Sequence, residues 1–228
     1  IFIMADKKPS KEEYEEARKA YYELEWYEHP VLMHFGEEVY AKNQKRCLDA
    51  LDYYNKKDRP LNILAVHGSG RHPTIGCAYE LSNSQLLLER ALDPYRGEGY
   101  DIESVSLREY NVAPCNGCVS TSSIQCGFPC DCHPDDPAQE LYPKVLKCDV
   151  FLLSTPVWQS TMGSRMKVFL DRLISLDGGF YRDKFRPKDG EFRAKTIQAS
   201  RDGNFEYTQR MFGRVGAYFI SSKDQNNP

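Results

Sequence analysis

Hydrophobic positions fall into two regimes along this chain, divided near Pro60. Before Pro60, apolar residues recur at helical spacing among charges and tyrosines. Tyr14, Ala17, Tyr21 and Leu24 share one face of a helix predicted over 10–28, opened by the capping box Ser10 to Glu13 and stopped by Pro30. A second helix is predicted over 35–54, with Phe35, Val39, Leu48 and Leu51 as its stripe. Residues 1–60 read as a helical arm laid over the core or another subunit, or as a solvated hairpin packed on its own domain. After Pro60, short apolar runs alternate with helical patterns. Strands are predicted over 62–67, 101–107, 148–154 and 215–220. Helices are predicted over 82–92, 138–146 and 162–176, with Pro143 set against the interior of the second. Met166, Phe169, Leu170, Leu173 and Ile174 form the inward face of the third. A polar stretch spans 177–213. Strands separated by crossover helices make an α/β fold with a parallel sheet covered on both faces. Ligands of such sheets sit beyond the carboxyl ends of the strands.

The remaining totals narrow the class. With 228 residues, the chain has room for one large domain, or a domain with an extension. Its 30 basic and 33 acidic residues leave a net charge of -3, which favours neither nucleic acid nor an acidic membrane surface. No apolar run approaches the roughly 20 residues needed to span a bilayer. Ile1-Phe2-Ile3-Met4 is too short for a signal sequence, Met4 reads as the natural start, and a cytoplasmic location is expected. In that compartment the eight cysteines point to metal, redox chemistry or burial rather than a disulfide framework.

Three candidate sites lie after predicted strands. The first is His67-Gly68-Ser69-Gly70-Arg71, followed ten residues later by Ser82-Asn83-Ser84 at a helix start. Glycines admit close backbone approach, and free N–H groups at a helix N-terminus attract an anion, so this loop suits a phosphate. An ordinary capped strand–loop–helix connection reads equally well from the residues, and neither GxGxxG nor GxxxxGK[ST] is present. The second is Ser154 to Gly163, STPVWQSTMG. Here Trp158 can stack on a flat ring, while Gln159 and Ser160 can bond its edge; a plain strand-to-helix turn with Trp158 in the core is the alternative. The third is a loop of five cysteines from Cys115 to Cys132.

GS-x-R, SNS-x-LLLE, PCNGC and STPVWQSTMGSRMKVFLDR, in this order, resemble the NAD(P)H-dependent FMN reductases of the flavodoxin-like fold, and within them the iron–sulfur flavoproteins. The resemblance covers about Leu61 to Arg172. It implies that Ser69, Arg71, Ser82, Asn83 and Ser84 hold the FMN phosphate. Pro156, Val157, Trp158, Gln159 and Ser160 would line the isoalloxazine, with Ser221 and Ser222 approaching it. His67 stands where the family has a small residue, and 72–81 reads as an insertion. The family's fold continues past a fourth strand with a helix, a fifth strand and a final helix. The expectation is therefore a doubly wound flavodoxin-like sheet with an N-terminal helical extension and without its last elements.

In the third loop, Cys115, Cys118, Cys126 and Cys130 are the expected ligands of a [4Fe–4S] cluster, with Cys132 spare. A four-thiolate zinc site, a redox disulfide and a loop of buried thiols compete with it. Cys47, Cys77 and Cys148 read as buried apolar residues. The function this implies is an FMN-dependent oxidoreductase. It would take electrons from NAD(P)H or a ferredoxin-like donor and pass them to a small or protein acceptor, with no side-chain acid or base required. A non-catalytic, partner-binding flavodoxin-like subunit is the alternative. A homo-oligomer is expected, since an open sheet edge is normally covered.

Overall fold

A computed structural model describes residues 12, 30–71, 81–117, 126–130, 132–176 and 209–222. All of the first helix expected, over 10–28, except the helical Glu12, and most of the polar stretch after Leu176 lie outside the described residues.

Helix α1 spans Pro30–Tyr54, five residues longer at its start than expected. Pro30 opens the helix, where a missing N–H costs nothing. Its buried positions are Tyr40, Asn43, Cys47 and Ala50, and Leu48 points to solvent. Of the predicted stripe, Leu51 packs against the core, Val39 is half-buried and Leu48 is exposed, while the Phe35 side chain lies outside those described. Asn43 is buried since its Nδ2 donates to the Pro134 carbonyl, at 2.9 Å. This part of the arm packs on its own domain.

The sheet follows. Strand β1 is Asn62–His67, β2 is Asp101–Ser106, β3 is Val150–Trp158, β4 is Thr161–Met162 and β5 is Val215–Ser221. Parallel pairing runs β2-β1-β3-β5, and β4 folds back antiparallel on the end of β3. Helix α2 is Asn83–Leu92, α3 is Ala138–Lys147 and α4 is Ser164–Arg172. Period-two alternation divides β1 between two cores. Ile63 and Ala65 pack with Leu152 against Leu88 and Leu92 of α2. Leu64 and Val66 pack with Leu153 against Cys47, Leu141, Val145, Met166 and Phe169 from α1, α3 and α4. This is the flavodoxin-like α/β arrangement, with the central strand buried on both faces.

Pro143 does lie inside α3. It forfeits one backbone hydrogen bond, and Leu141, Tyr142, Val145 and Leu146, all buried, hold the helix in place regardless. Ile174 is exposed, against expectation. The chain tightens to a 3-10 turn at Leu173–Leu176, which turns Ile174 outward, and Arg172 takes the inward position. At the base of the sheet, Arg59 grips Asp149 through two bonds, Nη1 to Oδ2 at 2.6 Å and Nη2 to Oδ1 at 2.7 Å.

Candidate functional site at the carboxyl edge of the sheet

β1 ends at His67 and the chain leaves the sheet through Gly68, whose N–H donates to the Ser154 carbonyl of β3 at 2.7 Å. Gly68 is required here by space. A methyl group on it would stand 2.8 Å from Cβ of Met166 in α4. Ser69 is buried, and its hydroxyl accepts the Arg71 N–H at 3.3 Å, closing a short turn. Arg71 itself is exposed. Its carbonyl is held by Arg108 Nη1, at 2.6 Å. Arg108, which follows β2, thus brings a second cation to the loop. Sequence reasoning missed it because it belongs to no glycine motif.

At the far side of the loop, Ser82 caps α2, its hydroxyl accepting the Gln85 N–H at 3.2 Å. Ser82 and Ser84 hydroxyls stand 3.2 Å apart and both residues are buried, while Asn83 is exposed. The hydroxyl of Ser154 donates to the Ser84 carbonyl at 2.5 Å and so ties the helix start to β3. Ser82 and Ser84 are therefore engaged in shaping the helix end.

The segment expected as a loop after strand three is instead a continuation of the strand. Pro156, Val157 and Trp158 belong to β3, and Val157 pairs with Met162 and Trp158 with Thr161. Gln159 and Ser160 make the two-residue turn, both with left-handed backbones (φ 50 and 63). That geometry matches the twist of a tight hairpin, although neither residue is the glycine or asparagine that usually signals one. The hairpin is anchored at its base, where the Gly163 N–H reaches Thr155 Oγ1 at 3.1 Å and the Pro156 carbonyl at 3.0 Å. Trp158 is 48% exposed at the tip. It faces the glycine loop: a methyl on Gly70 would lie 3.5 Å from its Cη2 and 3.8 Å from Arg165 Nε. The end of β5 completes the edge, with Ser221 beside Pro156 in register.

The cysteine region is anchored by distant elements. Tyr40 of α1 both donates to the Phe128 carbonyl and accepts its N–H, at 3.0 and 3.1 Å. Gln139 of α3 donates to the Cys130 and His133 carbonyls. Under the loop lies Arg172, fully buried, with Nε on the Tyr142 hydroxyl at 3.1 Å and Nη1 on the Ala113 carbonyl at 3.1 Å. Asp136, 3.7 Å from Nη2, faces it. Burial opposes the Arg172 charge, but Cys130, Tyr142 and Asp136 outweigh it and hold the guanidinium above its ordinary value. Cys126 is buried, whereas Cys115, Cys130 and Cys132 are partly exposed; Cys118 and Cys77 lie outside the described residues. Cys47 and Cys148 are buried as expected, and burial pushes both thiols up to about 12, which leaves them unreactive at neutral pH.

Residues 61–200 match the family described as NADPH-dependent FMN reductase. The chain belongs to that family. An iron–sulfur flavoprotein of Methanocaldococcus jannaschii is 31% identical over 148 residues, which is 65% of this chain and 67% of that protein. An iron–sulfur flavoprotein of Methanosarcina thermophila is 26% identical over 126 residues, 55% of this chain and 61% of its own length. One from Archaeoglobus fulgidus is 26% identical over 100 residues, covering 44% and 43%. The matches thus span about two thirds or less of these relatives.

For an FMN reductase, the edge built here fits its cofactor. Gly70 leaves a cradle between Trp158 and Arg165. Two polar atoms beside the loop, His67 Nδ1 and Ser106 Oγ, are buried without a hydrogen-bond partner. The fit to a cluster is weaker. Five thiols on one loop are the right donor chemistry, but among the described residues no three Cys, His, Asp or Glu side chains gather closely enough to hold a metal ion. Also among the described residues, no helix is long and apolar enough to cross a membrane.

Proposed function

We propose that this protein is an FMN-dependent oxidoreductase, drawing electrons from NAD(P)H or a ferredoxin-like donor and passing them to a small or protein acceptor. The observation that carries the reading is the meeting of Gly70 with Trp158 at the carboxyl edge, which sets an anion loop against an exposed aromatic hairpin. FMN, when bound, supplies the hydride and single-electron chemistry, so the chain needs no acid or base of its own. Its residues bind and orient. The loop 68–71, with Arg108, and the start of α2 would take the phosphate; Pro156 to Ser160 would flank the ring, and Trp158 would shield one side of it from water. An absorbance spectrum tests this directly. Bound flavin is expected to absorb near about 450 nm, and a protein still colourless after FMN soaking overturns the reading.

The same proposal extends to the thiols. Cys115, Cys118, Cys126 and Cys130 are assigned a [4Fe–4S] cluster, supported by the density of cysteines on one loop and by relatives that are named iron–sulfur flavoproteins. Anaerobic protein should carry about four iron and four sulfide per chain. About one zinc and no sulfide would replace the cluster with a structural site, and the flavin reading would stand without it.

A further inference from the structure

His67 is the last residue of β1 and directly precedes the glycine loop. It is 4% exposed, and its Nδ1 has no hydrogen-bond partner. A buried polar atom left unpaired forfeits its hydration without replacing it, so its persistence calls for a reason. Strand alternation puts His67 on the face of Ile63 and Ala65, under α2. Its neighbour in register on β3 is Ser154, whose hydroxyl holds the Ser84 carbonyl in the first turn of α2. Its neighbour in register on β2 is Ser106, whose hydroxyl is also buried and unpartnered. Two adjacent strands thus end in two unsatisfied polar groups, beneath the N-terminus of a ten-residue helix. That end carries partial positive charge and N–H groups with no partner inside the helix.

The charged groups acting on the imidazole are Arg108 and Glu109. Arg108 is anchored on the loop through the Arg71 carbonyl, and its ion pair with Glu109 is long, at 3.9 Å. From α2 and β3 the groups nearby are the neutral Ser84 and Ser154. Burial and then Arg108 push the imidazole below its ordinary range, which favours its uncharged form at neutral pH.

We propose that His67 is a proton-linked ligand of the cofactor's phosphate: the imidazole takes one proton from solvent when a phosphate dianion enters, with Ser106 as a second donor. The proposal rests on the reading of this edge as an FMN site and adds how that site is regulated. A dianion nearby favours the charged imidazole, reversing the effect of burial. Affinity then falls as pH rises, by up to about tenfold per unit between the imidazole's values in the empty and the filled site.

Calorimetric titration of FMN at pH near 7.5, in two buffers of different ionisation enthalpy, counts the protons taken up; phosphate monoesters are already mostly dianionic there, with a second pKa of about 6. Wild-type protein should take up protons with FMN and none with riboflavin, which lacks the phosphate. His67→Asn keeps a donor near the Nδ1 position and cannot change charge. It should bind FMN about tenfold more weakly, with no uptake. A parallel arm adds inorganic phosphate and follows the imidazole signals by NMR, assigning His67 from its loss in the variant. Its titration should move to higher pH. FMN binding without proton uptake, or with equal uptake in His67→Asn, overturns the proposal and leaves the flavin reading intact. A phosphate-induced shift of His67 without FMN binding supports the proton-linked anion site and overturns the flavin reading. No response to either ligand overturns both. The comparison of FMN with riboflavin in wild-type protein holds even if the variant fails to fold.

Discussion

Trp158 and Gly70 meet across the candidate site, the indole Cη2 lying 3.5 Å from where a Gly70 side chain would begin. One belongs to a hairpin at the end of β3, the other to the loop after β1, and they stand 88 positions apart in the chain. Trp158 is half exposed and reaches no core cluster. Its replacement should therefore act on the ligand more than on the fold. Trp158→Ala is expected to weaken FMN binding about tenfold or more, with little change in thermal midpoint. Equal FMN affinity in the variant, measured by fluorescence titration, would refute the placement.

Gly68 has the opposite character. A methyl there would press to 2.8 Å on Cβ of Met166 and 3.4 Å on its Cα. Shortening Met166 to alanine leaves that Cβ in place and cannot relieve the clash. Gly68→Ala should destabilise the protein by about 1–3 kcal/mol and loosen the glycine loop with it. Urea unfolding reads the first effect. A Gly68→Ala protein as stable as wild type would mean that the loop and α4 do not meet this closely.

The pair Arg59–Asp149 sets a pH dependence. Hydrogen bonds from Arg59, aided by the Asn62 N–H and opposed by burial, hold the Asp149 carboxyl below its ordinary value of 3.8. A carboxyl lowered by folding contributes stability that is complete above the unfolded value and is lost as pH falls through the folded one. Asp149→Asn should cost about 2 kcal/mol at neutral pH. The gap between variant and wild type should close as pH drops through 3.8 and below. An unchanged gap in acid would assign the loss to packing instead.

Self-association is expected at β5. Val215, Tyr218 and Ile220 are each more than three-fifths exposed. Tyr218 and Ile220 share one face of β5, with Val215 on the other, and among the described residues the strand pairs only with β3, an arrangement that invites a second chain. The arm offers less ground for an oligomer than its sequence implied, because α1 from Tyr40 onward is committed to its own domain. Light scattering should give a mass above that of one chain, with Tyr218→Lys shifting it downward. A strict monomer at micromolar concentration ends this expectation.

Much of the fold was legible in the residues because local signals and global structure agree. Ile63 to Val66 is an unbroken apolar run, which suits a strand buried on both faces, and it is the central strand β1. Ser82 followed by apolar residues at helical spacing is the start of α2, cap included. The four-motif resemblance reached the right family, and the edge of the sheet where the motifs gather follows from parallel topology alone.

What tertiary structure decided is what chemistry-bearing residues do when partners arrive from far along the chain. No local pattern marks Gln159 and Ser160 as a left-handed turn; pairing of Trp158 with Thr161 enforces it. Arg172, at the end of a helix, is buried because the Tyr142 hydroxyl and the Ala113 carbonyl accept from it and Asp136 faces its charge, all from other segments. Arg108 comes to the glycine loop, and His67 comes to lie between Ser106 and Ser154, only once three strands are in register. The sequence by itself determined most of the described strands and helices and the family, since periodicity and motif spacing are properties of neighbours along the chain. Burial, hydrogen-bond completion and the protonation of His67 depend on neighbours in space, and those exist only after the sheet has formed.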